Sequence, residues 1–137
     1  MAVLPNKRQR QLAEFRDRAR QAGVTVSLKV LDDIPPRLQR ATDDPLAGYG
    51  VHLTPQQRQK VASDLFVRTR SGWEAKSGVA IPKVFDRLPE CVEIVSIGFD
   101  HVTIYWNERG GEEALKAVFL VLATLHPAPP ETLTLSQ

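Results

Sequence analysis

The stretch 91-CVEIVSIGFDHVTIYWNERGGEEALKAVFLVLATLH-126 decides the fold. Val102, Ile104 and Trp106 alternate with His101, Thr103 and Tyr105, the period-two pattern of a strand with one buried face and one wet face. The preceding run, Val92 to Ile97, is its expected partner. Gly98-Phe99-Asp100-His101 supplies the turn, because glycine tolerates positive φ and aspartate hydrogen-bonds its own backbone. Beyond Gly110-Gly111, the residues Leu115, Val118, Phe119, Leu122 and Leu125 fall on one face of a helix. Each is worth roughly 1.5 to 3 kcal/mol if fully buried. A hairpin running into a core helix predicts an α+β chain.

Working outward, Asn6 caps a predicted helix to about Gln21, with Leu12, Phe15, Ala19 and Ala22 on its inner face. Gly23 ends it, and Val24, Val26, Leu28 and Val30 then alternate with Thr25, Ser27 and Lys29 as a strand. Asp32-Asp33-Ile34-Pro35-Pro36 reads as a capped turn, and Ala41 to Tyr49, with Thr42-Asp43-Asp44-Pro45 and Gly48, reads as loop. Thr54-Pro55-Gln56-Gln57 starts a second helix by its capping box and first-turn proline. That helix carries Val61, Ala62, Leu65 and Thr69 inward and a Lys60-Asp64-Arg68 charge ladder outward, and stops at Ser71-Gly72. Pro82 to Leu88 predicts one or two helical turns closed by Pro89. The expected fold is therefore α+β: a small, mostly antiparallel sheet, including the C-terminal hairpin, packed against about three helices. Residues 1–126 are expected to make one domain, with 127–137 a mobile tail.

Composition narrows the function classes. Hydrophobic residues at 42% and charged residues at 25% are ordinary for a globular chain. The one cysteine, Cys91, has no partner for an internal disulfide, and no signal peptide opens the chain, so a cytoplasmic setting is expected. The longest apolar run, Ala117 to Ala123, falls far short of the roughly 20 residues of a membrane span. Residues 1 to 40 hold nine Lys/Arg against four Asp/Glu, and the remainder nine against twelve. That asymmetry can draw an anionic partner to one end.

Chemical signatures are sparse. His52, His101 and His126 share no ligand spacing with one another or with Cys91, which gives no support to a zinc site. Neither Gly48-Tyr49-Gly50 nor Gly110-Gly111 has the form of a phosphate loop, so no cofactor is expected. The pairs Asp32-Asp33 and Asp43-Asp44 lie beside prolines, where aspartate caps and turns. Asp64 followed by Glu74-Ala75-Lys76 resembles the Asp…Glu-x-Lys pattern of restriction-type nucleases. The resemblance spans those residues alone and implies Mg²⁺ held by the two carboxylates beside Lys76. Members of that family carry the Asp on a strand, whereas the Thr54 cap predicts a helix through Asp64.

No catalytic or metal-ligating residue is assigned, and a small non-enzymatic binding or regulatory protein is the expected function, of the inhibitor or accessory-subunit kind. Its expected protein interface is Leu120 with Val121 on the final helix, used for another protein or for self-association. The alternative is a nucleic-acid-binding module. Its phosphate contacts are Arg16, Arg18 and Arg20 on the first helix, or Arg68, Arg70 and Lys76, with Trp73 and Tyr105 stacking on bases.

Overall fold

The computed structural model describes residues 6–29, 31, 34–55 and 63–125. Asn6 starts helix α1 (Lys7–Gln21) by a capping box: its side chain accepts from Gln9 N–H at 2.7 Å, and the Gln9 side chain accepts from Asn6 N–H at 3.0 Å. Phe15 and Ala19 are its buried residues. Strands β1 (Thr25–Ser27), β2 (Ala47–His52), β3 (Asp64–Thr69), β4 (Gly72–Ala75), β5 (Val92–Ile97) and β6 (His101–Trp106) form one antiparallel sheet in the order β1-β2-β6-β5-β3-β4. A 3-10 helix (Lys83–Arg87) precedes β5, and α2 (Gly111–Leu125) follows β6.

The sheet has two unlike faces. One carries Val95, Phe66, Val102, Ile104, Trp106 and Tyr49, which bury against Phe15 and Ala19 of α1, Leu115, Val118 and Leu122 of α2, and Phe85 of the 3-10 helix. On the other, Leu65, Val67 and Ile94 pack with Leu38, and Leu31, Ile34 and Leu46 close around them. A chain segment, not a helix, therefore covers that second face.

The α+β expectation holds, but about three helices does not: two α-helices and a six-stranded sheet stand among the described residues. Asp64 to Thr69 departs furthest from expectation. Sequence spacing put these residues in a helix, yet they form β3, with Leu65 and Val67 packing on one face and Phe66 on the other. A strand buried on both faces loses its alternation, and the i, i+4 charges then mimic a helix. Where the Thr54 helix was expected to begin, residues 56–62 lie outside the described set. Of the strand expected over Val24 to Val30, Thr25–Ser27 pair with Gly50 to Gly48 of β2, and Val30 lies outside the described residues.

The loop expected over Ala41 to Tyr49 gives way at Ala47 to a strand, Ala47–His52, whose first four residues are buried. Its glycines are there for space. A Cβ on Gly50 would stand 2.6 Å from Thr103 Oγ1 and 3.0 Å from the Val102 carbonyl, and one on Gly48 would stand 2.7 Å from the Tyr105 ring. Substituting Gly50→Ala is expected to destabilise by about 2 kcal/mol through overpacking, despite alanine's better strand entropy. Urea unfolding measures this, and a variant as stable as the parent would contradict the close β2–β6 approach.

Candidate binding cleft

An open cleft of about 930 Å³ lies between residues 34–43 and the turn joining β3 to β4. Its first wall is Ile34, Pro35, Pro36, Arg37, Leu38 and Gln39, continuing to Asp43. Leu38 anchors that wall, only 2% exposed on Leu65, Val67 and Ile94. Ala41 N–H donates to the Arg68 carbonyl at 3.1 Å. Beneath it lies Glu93, 2% exposed, which accepts from the Thr42 hydroxyl at 2.6 Å and lies 3.4 Å from Arg40 Nε. Arg40 also donates to the carbonyls of Thr42 and Asp44, at 2.9 and 2.6 Å.

Glu93 reaches this position through a β-bulge. The pairing runs Val92 with Trp106 and then Ile94 with Tyr105, leaving Glu93 as the extra residue. In a plain alternating strand it would read as an outward glutamate. A buried carboxylate is tolerated only when paired and hydrogen-bonded, and Thr42 with Arg40 meets that need.

The second wall is Thr69, Arg70, Ser71 and Glu74. The Thr69 hydroxyl stands 3.0 Å from the Gly72 carbonyl and 2.8 Å from the Glu74 carboxylate, and accepts from Ser71 N–H at 3.2 Å. The turn is thus braced from within. Arg70 at its tip is exposed and makes no hydrogen bond or ion pair among the described residues. Opposite it, Arg37 donates to the Lys76 carbonyl.

No family model, curated protein or solved structure matches the chain. Its geometry is therefore the ground for a functional reading.

The expected nucleic-acid residues are dispersed. Arg16 makes a bidentate pair with Glu108, at 3.0 and 2.7 Å, and Arg18 pairs with Glu112 at 2.6 Å. Arg20 is exposed. The Arg68 guanidinium lies 4.8 Å over the Trp73 ring, where burial lowers its pKa, and it donates to the Leu88 carbonyl. Trp73 packs edge-on against Phe85, on the helix-covered face. Tyr105 lies on the opposite face, with β5 and β3 between its strand and β4. The structure does not bring Trp73 and Tyr105 together.

The Asp…Glu-x-Lys residues do not converge either. Asp64 is on a strand after all, but Val67 opposes Glu74 and Leu65 bonds Lys76, so Glu74 and Lys76 share the face of Leu65 and Val67. Strand alternation puts Asp64 on the other face, where Ser77 donates to it. Among the described residues no group of three or more His, Cys, Asp or Glu is placed to hold a metal ion.

On α2, Leu120 is 47% exposed, as expected, but Val121 is fully buried in the helix–sheet core and faces no outside partner. Helical periodicity turns successive residues by about 100°, so neighbours need not share a face. No helix among the described residues is long and apolar enough to cross a membrane.

Sequence reasoning missed Glu108 as well as Glu93. Glu108 is 4% exposed and sits at φ 61, a left-handed conformation that non-glycine residues seldom adopt. Its carboxylate accepts from the Tyr49 hydroxyl at 2.7 Å in addition to Arg16. Burial first, then the Glu108 carboxylate, push the Tyr49 phenol far up, so it stays a donor. Arg8 donates to the carbonyls of Asn107 and Glu108. These groups fasten α1 to the link between β6 and α2. The signal available in the sequence was the polar run Asn107-Glu108-Arg109 between a core strand and a core helix.

Proposed function

We propose that this chain is a non-enzymatic binding protein that takes an extended, acidic segment of a protein partner in the cleft between residues 34–43 and the β3–β4 turn. The observation that carries this reading is Arg70, an exposed cation at the lip of a cleft whose other wall offers Ile34, Pro35 and Pro36 among polar side chains. An extended segment lays apolar side chains on Ile34, Pro35 and Pro36 and presents a carboxylate to Arg70, whose fork suits bidentate recognition. The wall is fixed beforehand by Leu38 and the Glu93 knot, which lowers the ordering entropy that binding must overcome.

A phosphate backbone fits less well. Two of the first helix's arginines are already neutralised by Glu108 and Glu112, and Trp73 and Tyr105, the rings that would stack on bases, lie on opposite faces of the sheet. Selection from a display library of random peptides tests the proposal. Enriched sequences are expected to be acidic and apolar, and Arg70→Glu is expected to lower their affinity by about tenfold, the loss of one charge-assisted contact. No enrichment, or enriched peptides that bind Arg70→Glu equally well, overturns it. So does tight binding of labelled DNA or RNA that falls steeply with salt.

A further inference from the structure

We propose that the extended segment taken by the cleft also joins the sheet, pairing its backbone with the outer edge of β4 as a seventh strand. This rests on the cleft reading above and names how the segment is held. β4 is the last strand on its side of the sheet, with β3 its neighbour. The ladder fixes which of its groups face outward. Continuing the β3–β4 register, Lys76 opposes Leu65 and its N–H donates to the Leu65 carbonyl at 2.8 Å, so Lys76, Glu74 and Gly72 turn their backbone groups to β3. Trp73 and Ala75, between them, turn theirs away. The Ala75 carbonyl accepts from Gly78 N–H at 3.0 Å, which leaves Trp73 N–H, the Trp73 carbonyl and Ala75 N–H open to a new strand among the described residues.

The chain beyond β4 does not pair along that edge. It passes under the sheet, where Phe85 meets Phe66 and Trp73 edge-on, and among the described residues no backbone–backbone bond joins residues 79–88 to β4. An extended backbone is the ligand that such a row of donors and acceptors recognises. Charge favours an acidic one. Arg70 before β4 and Lys76 after it are exposed and make no ion pair among the described residues, and the Glu74 carboxylate between them already stands 2.8 Å from the Thr69 hydroxyl. Glu74 lines the cleft, whereas Trp73 lies on the helix-covered face. Directly opposed residues share a face, so the side chains of the new strand alternate in the same way. The residue opposite Trp73 makes the paired backbone bonds, and the residues on either side of it put their side chains into the cleft.

The most enriched acidic peptide from the display selection, synthesised with its backbone amides N-methylated one at a time and titrated against the full chain, tests the pairing, with amide exchange of the chain followed by NMR. N-methylation of the residue opposite Trp73 is expected to weaken binding by about tenfold or more, and that of either neighbour to change it by less than about twofold, because their N–H groups point away from β4. The Trp73 and Ala75 amides are expected to exchange about tenfold more slowly in the complex. Affinity that ignores N-methylation yet falls with Arg70→Glu overturns the seventh strand and leaves the cleft reading standing, whereas no peptide binding overturns both. Losses at alternate residues without protection of Trp73 put the new strand on another edge and overturn the proposal too. So does protection of Trp73 in the free chain that deepens with concentration, the mark of a second copy on this edge.

Discussion

Replacing Trp106 by alanine is expected to destabilise the protein by about 4 kcal/mol, the upper part of the range for truncating a buried aromatic. Trp106 is fully buried where α1 meets the sheet. Its ring stacks on Phe15 at 6.3 Å and receives Tyr49 edge-on at 5.3 Å. Removing it deletes both contacts and leaves a cavity walled by a strand on each side, β2 at Ala47 and β5 at Val92, neither of which can collapse into it. The indole N–H has no acceptor among the described residues, so Trp106→Phe loses volume without losing a hydrogen bond and is expected to lose less than half as much. Urea unfolding distinguishes the two variants. An alanine variant within about 1 kcal/mol of the parent would show that α1 does not seat on Trp106.

Glu108→Ala is expected to destabilise by about 3 kcal/mol, since it strands a partly buried guanidinium and the Tyr49 hydroxyl at once. The backbone supplies a sharper test. At φ 61 alanine keeps the left-handed strain, whereas glycine releases it. Glu108→Gly is therefore expected to be more stable than Glu108→Ala by about 1 kcal/mol, although both lose the same carboxylate. Equal stabilities would contradict the strained turn. Tyr49→Phe in each background separates the hydroxyl's share as a double-mutant cycle.

The elements readable in the sequence were those with one wet face. α1 and the β5–β6 hairpin keep their polar residues on one side, so Phe15 and Ala19, or Val102, Ile104 and Trp106, show their period. β2 and β3 escaped because both of their faces are covered. Gly48 and Gly50, which sequence logic assigns to loops, answer to the side chains of Tyr105 and Thr103 on a strand far along the chain. Composition alone holds no trace of that approach. The cleft was illegible for the same reason. Its walls join residues 34–43 to Arg70 and Ser71 through Glu93, and the bulge that turns Glu93 inward has no local signature in Val92-Glu93-Ile94. Arg70 was singled out, but for phosphates and in the company of Trp73, which the strand alternation sends to the other face.

A photo-cross-linking amino acid placed at Ser71, on the cleft lip beside Arg70, tests the central claim most directly, with a second probe at Leu120 as reference. The account predicts that the Ser71 probe captures one protein through a single acidic, extended segment, that nuclease treatment leaves the product intact, and that Arg70→Glu abolishes it. A product that disappears with nuclease, or that survives Arg70→Glu unchanged, would contradict it.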